Sequence, residues 1–104
     1  MNTGQNKHYQ ASLNSVKEIV LDALKNDEVI IILFGSAARG DAHRYSDIDI
    51  GILPKNGYKK EKLILLKEKF EDLNIPYRVE LVDLTTVSTA FKENVLKEGM
   101  VWKS

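Results

Sequence analysis

Six consecutive apolar residues, Val29 to Phe34 (VIIILF), constrain this chain more than any other stretch. The run is too short for a core helix and rich in β-branched side chains. It therefore predicts a strand buried on both faces, inside a sheet with helices packed on it. The run ends at Gly35 and leads through GSAARGDAHRYS, a connection with two glycines, into Ser46–Leu53 (SDIDIGIL). That second segment alternates. Ile48, Ile50 and Ile52 take one face, and Asp47, Asp49 and Gly51 take the other, which predicts a half-buried strand with an acidic face.

The remaining elements follow from periodicity. Leu13, Val16, Ile19, Val20, Ala23 and Leu24 form one stripe and predict a helix over 13–25, with Ser15 and Glu18 at capping-box spacing and Ser12 as a competing start. Residues 1–10 show no periodicity and are expected to fray. Lys59–Leu73 reads as a second helix with Leu63, Leu66, Phe70 and Leu73 inward, stopped by Asn74-Ile75-Pro76. Tyr77–Val82 reads as a third strand. Thr85, Thr86 and Ser88 are candidate caps for a helix near 87–98, which stops at Gly99 and leaves Met100-Val101-Trp102 as an apolar tail. The order helix, strand, strand, helix, strand, helix predicts an α+β fold, a small mixed β-sheet packed with helices.

Composition narrows the class. With 104 residues and 43% hydrophobic content the expectation is a single domain, 1–104, with an ordered core about 13–99. Fifteen basic and fifteen acidic residues cancel, so no global field draws nucleic acid or anionic membrane, and direct nucleic-acid binding is not expected. The absence of cysteine excludes a disulfide framework, a thiolate zinc site and a thiol nucleophile. No signal peptide is visible, and the longest apolar stretch falls far short of a membrane span, so a cytoplasmic protein is expected.

Asp47 and Asp49 carry the chemistry. Two residues apart on a strand, their carboxylates point to one face, with Cα atoms roughly 6.5–7 Å apart. Paired like charges raise each other's pKa, and a cation between them relieves the repulsion. An all-oxygen set suits Mg²⁺ or Mn²⁺. Upstream, Gly35-Ser36 sits where the chain leaves the buried strand. Glycine permits close approach to a ligand, the Ser36 hydroxyl and backbone N–H groups suit a phosphate oxygen, and Arg39 can clamp a phosphate in bidentate fashion. Neither G-x-x-x-x-G-K-[ST] nor G-x-G-x-x-G is present.

Taken together, Gly35-Ser36, ten residues, then Asp47-Ile48-Asp49 form a G-S-x10-D-x-D pattern that resembles the signature of the DNA polymerase beta superfamily of nucleotidyltransferases. The finer text GSAARGDAHRYSDIDI resembles its minimal nucleotidyltransferase branch, known as antitoxins of HEPN/MNT toxin–antitoxin modules. The resemblance covers about residues 13–99. It implies a polymerase-beta-like core in which two divalent ions are bridged by the aspartates, while Gly35, Ser36 and Arg39 hold the triphosphate of ATP. A hydroxyl then attacks the α-phosphate in line, and pyrophosphate leaves. It also implies a third carboxylate on the next strand. Glu80 in VELVDL is the match, and Asp83, of opposite parity and at the strand end, is the weaker candidate. The family more often has Asp there, and Glu is one methylene longer.

The resemblance further implies a HEPN-domain partner toxin in a hetero-oligomer, with AMP transferred from ATP to a tyrosine of that toxin. A chain that ends about twenty residues after Glu80 is expected to receive its acceptor from a partner. A binding-only antitoxin and a small-molecule nucleotidyltransferase of aminoglycoside type remain alternatives. His43, Arg44 and Tyr45 read as exposed loop residues. Six lysines (55, 59, 60, 62, 67 and 69) read as a solvated helix face or a docking face. Trp102 reads as a cap over the core or an interface anchor.

Overall fold

The computed structural model describes residues 3–39, 47–56 and 60–104, with side chains from residue 8 onward in the first segment. Helix α1 spans Thr3–Ala23, β1 Val29–Phe34, α2 Ser36–Arg39, β2 Ile48–Pro54, α3 Lys60–Glu71, β3 Val79–Asp83, α4 Thr89–Glu98 and β4 Met100–Lys103. The four strands form one mixed sheet in the order β3-β2-β1-β4. β1 is antiparallel to both β2 and β4, and β2 is parallel to β3 through the α3 crossover.

The pleat sorts the side chains into two faces. Ile31 pairs with Ile52 and Leu33 with Ile50, so these residues share the face that α1 and α3 cover. Val16, Val20 and Leu24 of α1 and its exit turn are fully buried there, with Leu63, Leu66 and Phe70 of α3 beside them. On the opposite face Ile32 packs with Leu84 and Val95 of α4. At Gly51 of β2 a Cβ would lie 2.9 Å from Leu84 Cδ1, so the missing side chain is what seats Leu84 on the sheet. β1 is thus buried on both faces, as its unbroken apolar run requires.

Two expectations are corrected. The segment 1–10, expected to fray, is helical from Thr3, because Tyr9 continues the stripe of Leu13, Val16 and Val20 at helical spacing and is buried. The tail after Gly99 is not irregular but forms β4, with Ile32 opposite Val101 and Leu33 opposite Met100. A four-residue strand with no hairpin before it has no local signature; it exists because β1 offers a free edge. α4 delivers it there directly. Ser88, one of the three candidate caps, accepts from Phe91 N–H at 3.1 Å to begin that helix. Gly99 ends it with its N–H on the Val95 carbonyl at 2.8 Å, so close to β1 that a Cβ would strike Ile32. Trp102 is half-buried against the core, with Lys17 Nζ 5.7 Å from its ring centre. Lys103 Nζ donates to the carbonyls of Leu24, Lys25 and Asp27 at 2.8, 3.3 and 2.7 Å, capping the C-terminal exit of α1. No helix among the described residues is long and apolar enough to cross a membrane.

Candidate active site

Strand register builds the site. On the α4 face, Phe34 lies opposite Asp49 across β1 and β2, and Glu80 lies opposite Asp49 across β2 and β3. Asp47 precedes β2 with the same parity as Asp49. Asp49 is half-buried, and Asp47 and Glu80 are exposed. One carboxylate oxygen from each of the three lies within 4.8 Å of the others. Such a set, offering only oxygen, could hold a hard divalent cation. Burial, and the neighbouring Glu80 and Asp47 carboxylates after it, push Asp49 above the ordinary aspartate range, against an opposing pull from Arg78.

Gly35 is pinned by the same row. Its φ is +75°, the left-handed region, and a Cβ there would land on Asp49 Oδ2. The turn lets β1 pass straight into α2, where Arg39 N–H bonds back to the Gly35 carbonyl at 3.3 Å. Ser36 opens α2 and is half-buried; Arg39 ends it and is exposed. Gly35 and Arg39 also border a cavity of about 250 Å³ walled by Phe34, Phe91, Asn94, Val95, Glu98 and Gly99. The Phe34 and Phe91 rings meet edge to face there at 5.8 Å.

Asp83 is placed elsewhere. It pairs with Ile52 toward the far end of β2, and its Oδ1 accepts from Thr85 N–H at 2.9 Å and from the Thr85 hydroxyl at 2.6 Å. It holds the turn after β3. Of the six lysines, Lys62 is tied to Asp27 at 2.7 Å, while Lys55, Lys60, Lys67 and Lys69 are exposed. Lys59, His43, Arg44 and Tyr45 lie outside the described residues.

One residue escaped the sequence reading. Tyr9 packs edge to face on Tyr77, with ring centres 4.8 Å apart, and its hydroxyl is buried without a hydrogen-bond partner. Its pKa is pushed up to about 12, first by burial and then by the charges of Asp49, Tyr77 and Asp47. The signal existed: Tyr9 stands four residues before Leu13 and seven before Val16.

A family model described as "Polymerase beta, Nucleotidyltransferase" matches residues 17–104. A Haemophilus influenzae protein named "Probable protein adenylyltransferase MntA" is 38% identical over 68 residues, covering 65% of this chain and 60% of that one. A Shewanella oneidensis protein named "Protein adenylyltransferase MntA" is 31% identical over 90 residues, covering 86% of this chain and 63% of that one. The chain therefore spans about 60% of the length of these curated relatives. Among solved structures, a toxin–antitoxin complex with AMP-PNP superposes with a TM-score of 0.66 at 28% identity, covering 85% of this chain and 73% of that one.

Proposed function

This chain belongs to the polymerase beta nucleotidyltransferase family, and we propose that its acidic row transfers AMP from ATP to a tyrosine hydroxyl of a HEPN-domain toxin, making the chain the antitoxin of the pair. The observation that carries the reading is the convergence of Asp47, Asp49 and Glu80 on one small space against the backbone of Gly35. The relatives named as protein adenylyltransferases and the similarity to a toxin–antitoxin structure with AMP-PNP support it. The nucleotidyltransferase domain read over 1–104 acts in the cytoplasm, assembled with its toxin.

The donor set fits the implied metal: among the described residues it is three carboxylates with no nitrogen or sulfur ligand, and Asp49 is raised in pKa first by burial and then by the other two. Bound there, two Mg²⁺ or Mn²⁺ ions would supply positive charge to the triphosphate and acidify the acceptor hydroxyl. The chain's own residues do the positioning. Gly35 presents bare backbone to the triphosphate, the Ser36 hydroxyl donates to a phosphate oxygen, and the Arg39 guanidinium clamps another. The acceptor oxygen bonds to the α-phosphorus, the bond from that phosphorus to the β-bridging oxygen breaks, and pyrophosphate leaves. The acceptor's proton passes to a carboxylate of the row.

The test is to incubate the chain with ATP, Mg²⁺ and a HEPN-domain toxin and to weigh the toxin. The expected result is an AMP-sized gain on a toxin tyrosine that disappears with Asp47→Ala plus Asp49→Ala. Tight complex formation and neutralisation without an adduct would leave a binding-only antitoxin. Adenylylation of a small hydroxyl compound with no toxin bound would make the chain a small-molecule enzyme.

A further inference from the structure

We propose that the cavity between α4 and the end of β1 is the base subsite of the acidic site: the Phe91 ring stacks on the base of the donor nucleotide, and Asn94 and Glu98 take the base's amino-bearing edge. The proposal rests on the nucleotidyltransferase reading above and deepens it by naming what reads the base. Phe91, Asn94, Val95 and Glu98 stand at i, i+3, i+4 and i+7, so they share one face of α4. Val95 buries the middle of that face against Ile32 and Leu84. Phe91 meets Phe34 edge to face yet stays 41% exposed, and Asn94 and Glu98 are exposed beside it. Two links join the cavity they border to the acidic row. Phe34 is the register partner of Asp49. Gly35, in the same wall, lies so close to Asp49 that a Cβ would strike Oδ2.

Size and charge decide which part of the nucleotide enters. The cavity holds about 250 Å³, below the roughly 300–1,000 Å³ of a pocket that encloses a drug-sized ligand. A single ring system fits, and a whole nucleotide does not. Glu98 repels phosphate, so the triphosphate stays at the end formed by Gly35 and Arg39, and the uncharged base takes the end walled by Phe91, Asn94 and Glu98. An aromatic face stacks on any base, so selection falls to the polar pair. An ionised carboxylate only accepts, whereas the Asn94 amide both donates and accepts. Together they match an edge that carries an amino group, as adenine does. A 6-oxo group in the same place sets one acceptor against another.

The experiment titrates the full chain calorimetrically in Mn²⁺ with ATP, with ITP (the same nucleotide with a 6-oxo base) and with inorganic tripolyphosphate, which has no base. The proteins are wild type, Phe91→Leu and Glu98→Gln. Wild type is expected to bind ATP roughly five- to tenfold more tightly than either ITP or tripolyphosphate. Phe91→Leu should weaken ATP and ITP alike by roughly fivefold and leave tripolyphosphate unchanged. Glu98→Gln, whose amide can donate to a 6-oxo group, should narrow the gap between ATP and ITP without weakening tripolyphosphate. Three results overturn the proposal: ATP binding no tighter than tripolyphosphate in wild type, a Phe91→Leu loss of equal size for tripolyphosphate, or a ratio of ATP to ITP affinity that Glu98→Gln leaves unchanged. The third rests on an exposed side chain, so it stands even if Phe91→Leu fails to fold. If wild type binds neither ATP nor tripolyphosphate, the nucleotidyltransferase reading itself fails and the base subsite falls with it. If it binds both equally, that reading stands and the base subsite alone fails.

Discussion

Replacing Asp49 with Asn removes one charge from the acidic row while keeping its shape, so it measures what the row costs the empty fold. Asp49, Asp47 and Glu80 each bring a carboxylate oxygen within 4.8 Å of the others. At that separation a like pair repels by about 0.9 kcal/mol in bulk water and about 3.5 kcal/mol at an effective dielectric near 20. Asp47 and Glu80 are exposed, so the lower figure governs. Two such pairs, less the pull of Arg78, leave about 1–1.5 kcal/mol. For a domain of this size that is about a 5–8 °C rise in Tm for Asp49→Asn at neutral pH and low salt.

The pH dependence has a definite sign. A folded-state pKa above the unfolded value of about 3.9 means that the folded protein binds the proton more tightly. Wild type therefore loses stability as pH rises from about 4 through the raised value, and the gap to the variant is full at pH 7 and closes below pH 4. Salt narrows it as well. Mn²⁺ should raise the Tm of wild type by linkage and the variant's by much less. Thermal unfolding by circular dichroism at two pH values, with and without Mn²⁺, reads all of this. A variant less stable than wild type at pH 7, or a Mn²⁺ shift of equal size in both, would refute the reasoning.

Two other substitutions probe the frame around the row. Gly35→Ala places a side chain at φ +75°, which costs about 1–2 kcal/mol, and drives its Cβ into Asp49 Oδ2. The expected outcome is a lower urea midpoint together with loss of Mn²⁺ binding, and retention of full binding would count against this geometry. Lys103→Met removes the ammonium that holds three carbonyls at the exit of α1. It should cost about 1–2 kcal/mol in urea unfolding while Mn²⁺ affinity stays the same, and an unchanged midpoint would show that the cap contributes nothing.

Much of this protein was legible in order along the chain, because burial leaves a local imprint wherever an element carries its own periodicity. VIIILF can only be a doubly covered strand. SDIDIGIL declares both its buried isoleucines and the shared face of Asp47 and Asp49. Ser88 and Gly99 bracket α4 through caps whose partners lie within four residues. Other features depend on partners distant in sequence and leave no such imprint. Asp49 meets Glu80 because β2 and β3 pair in parallel with that register, while Asp83, three residues on, is carried to the turn. β4 is four residues that become a strand only against the free edge of β1. Tyr9 lies in a stretch with no periodicity of its own, and its burial depends on Tyr77, far along the chain. The sequence by itself determined which residue types would face one another across a sheet; the tertiary structure decided which pairs meet, because register and edge pairing are settled by burial over the whole core rather than by any neighbour along the chain.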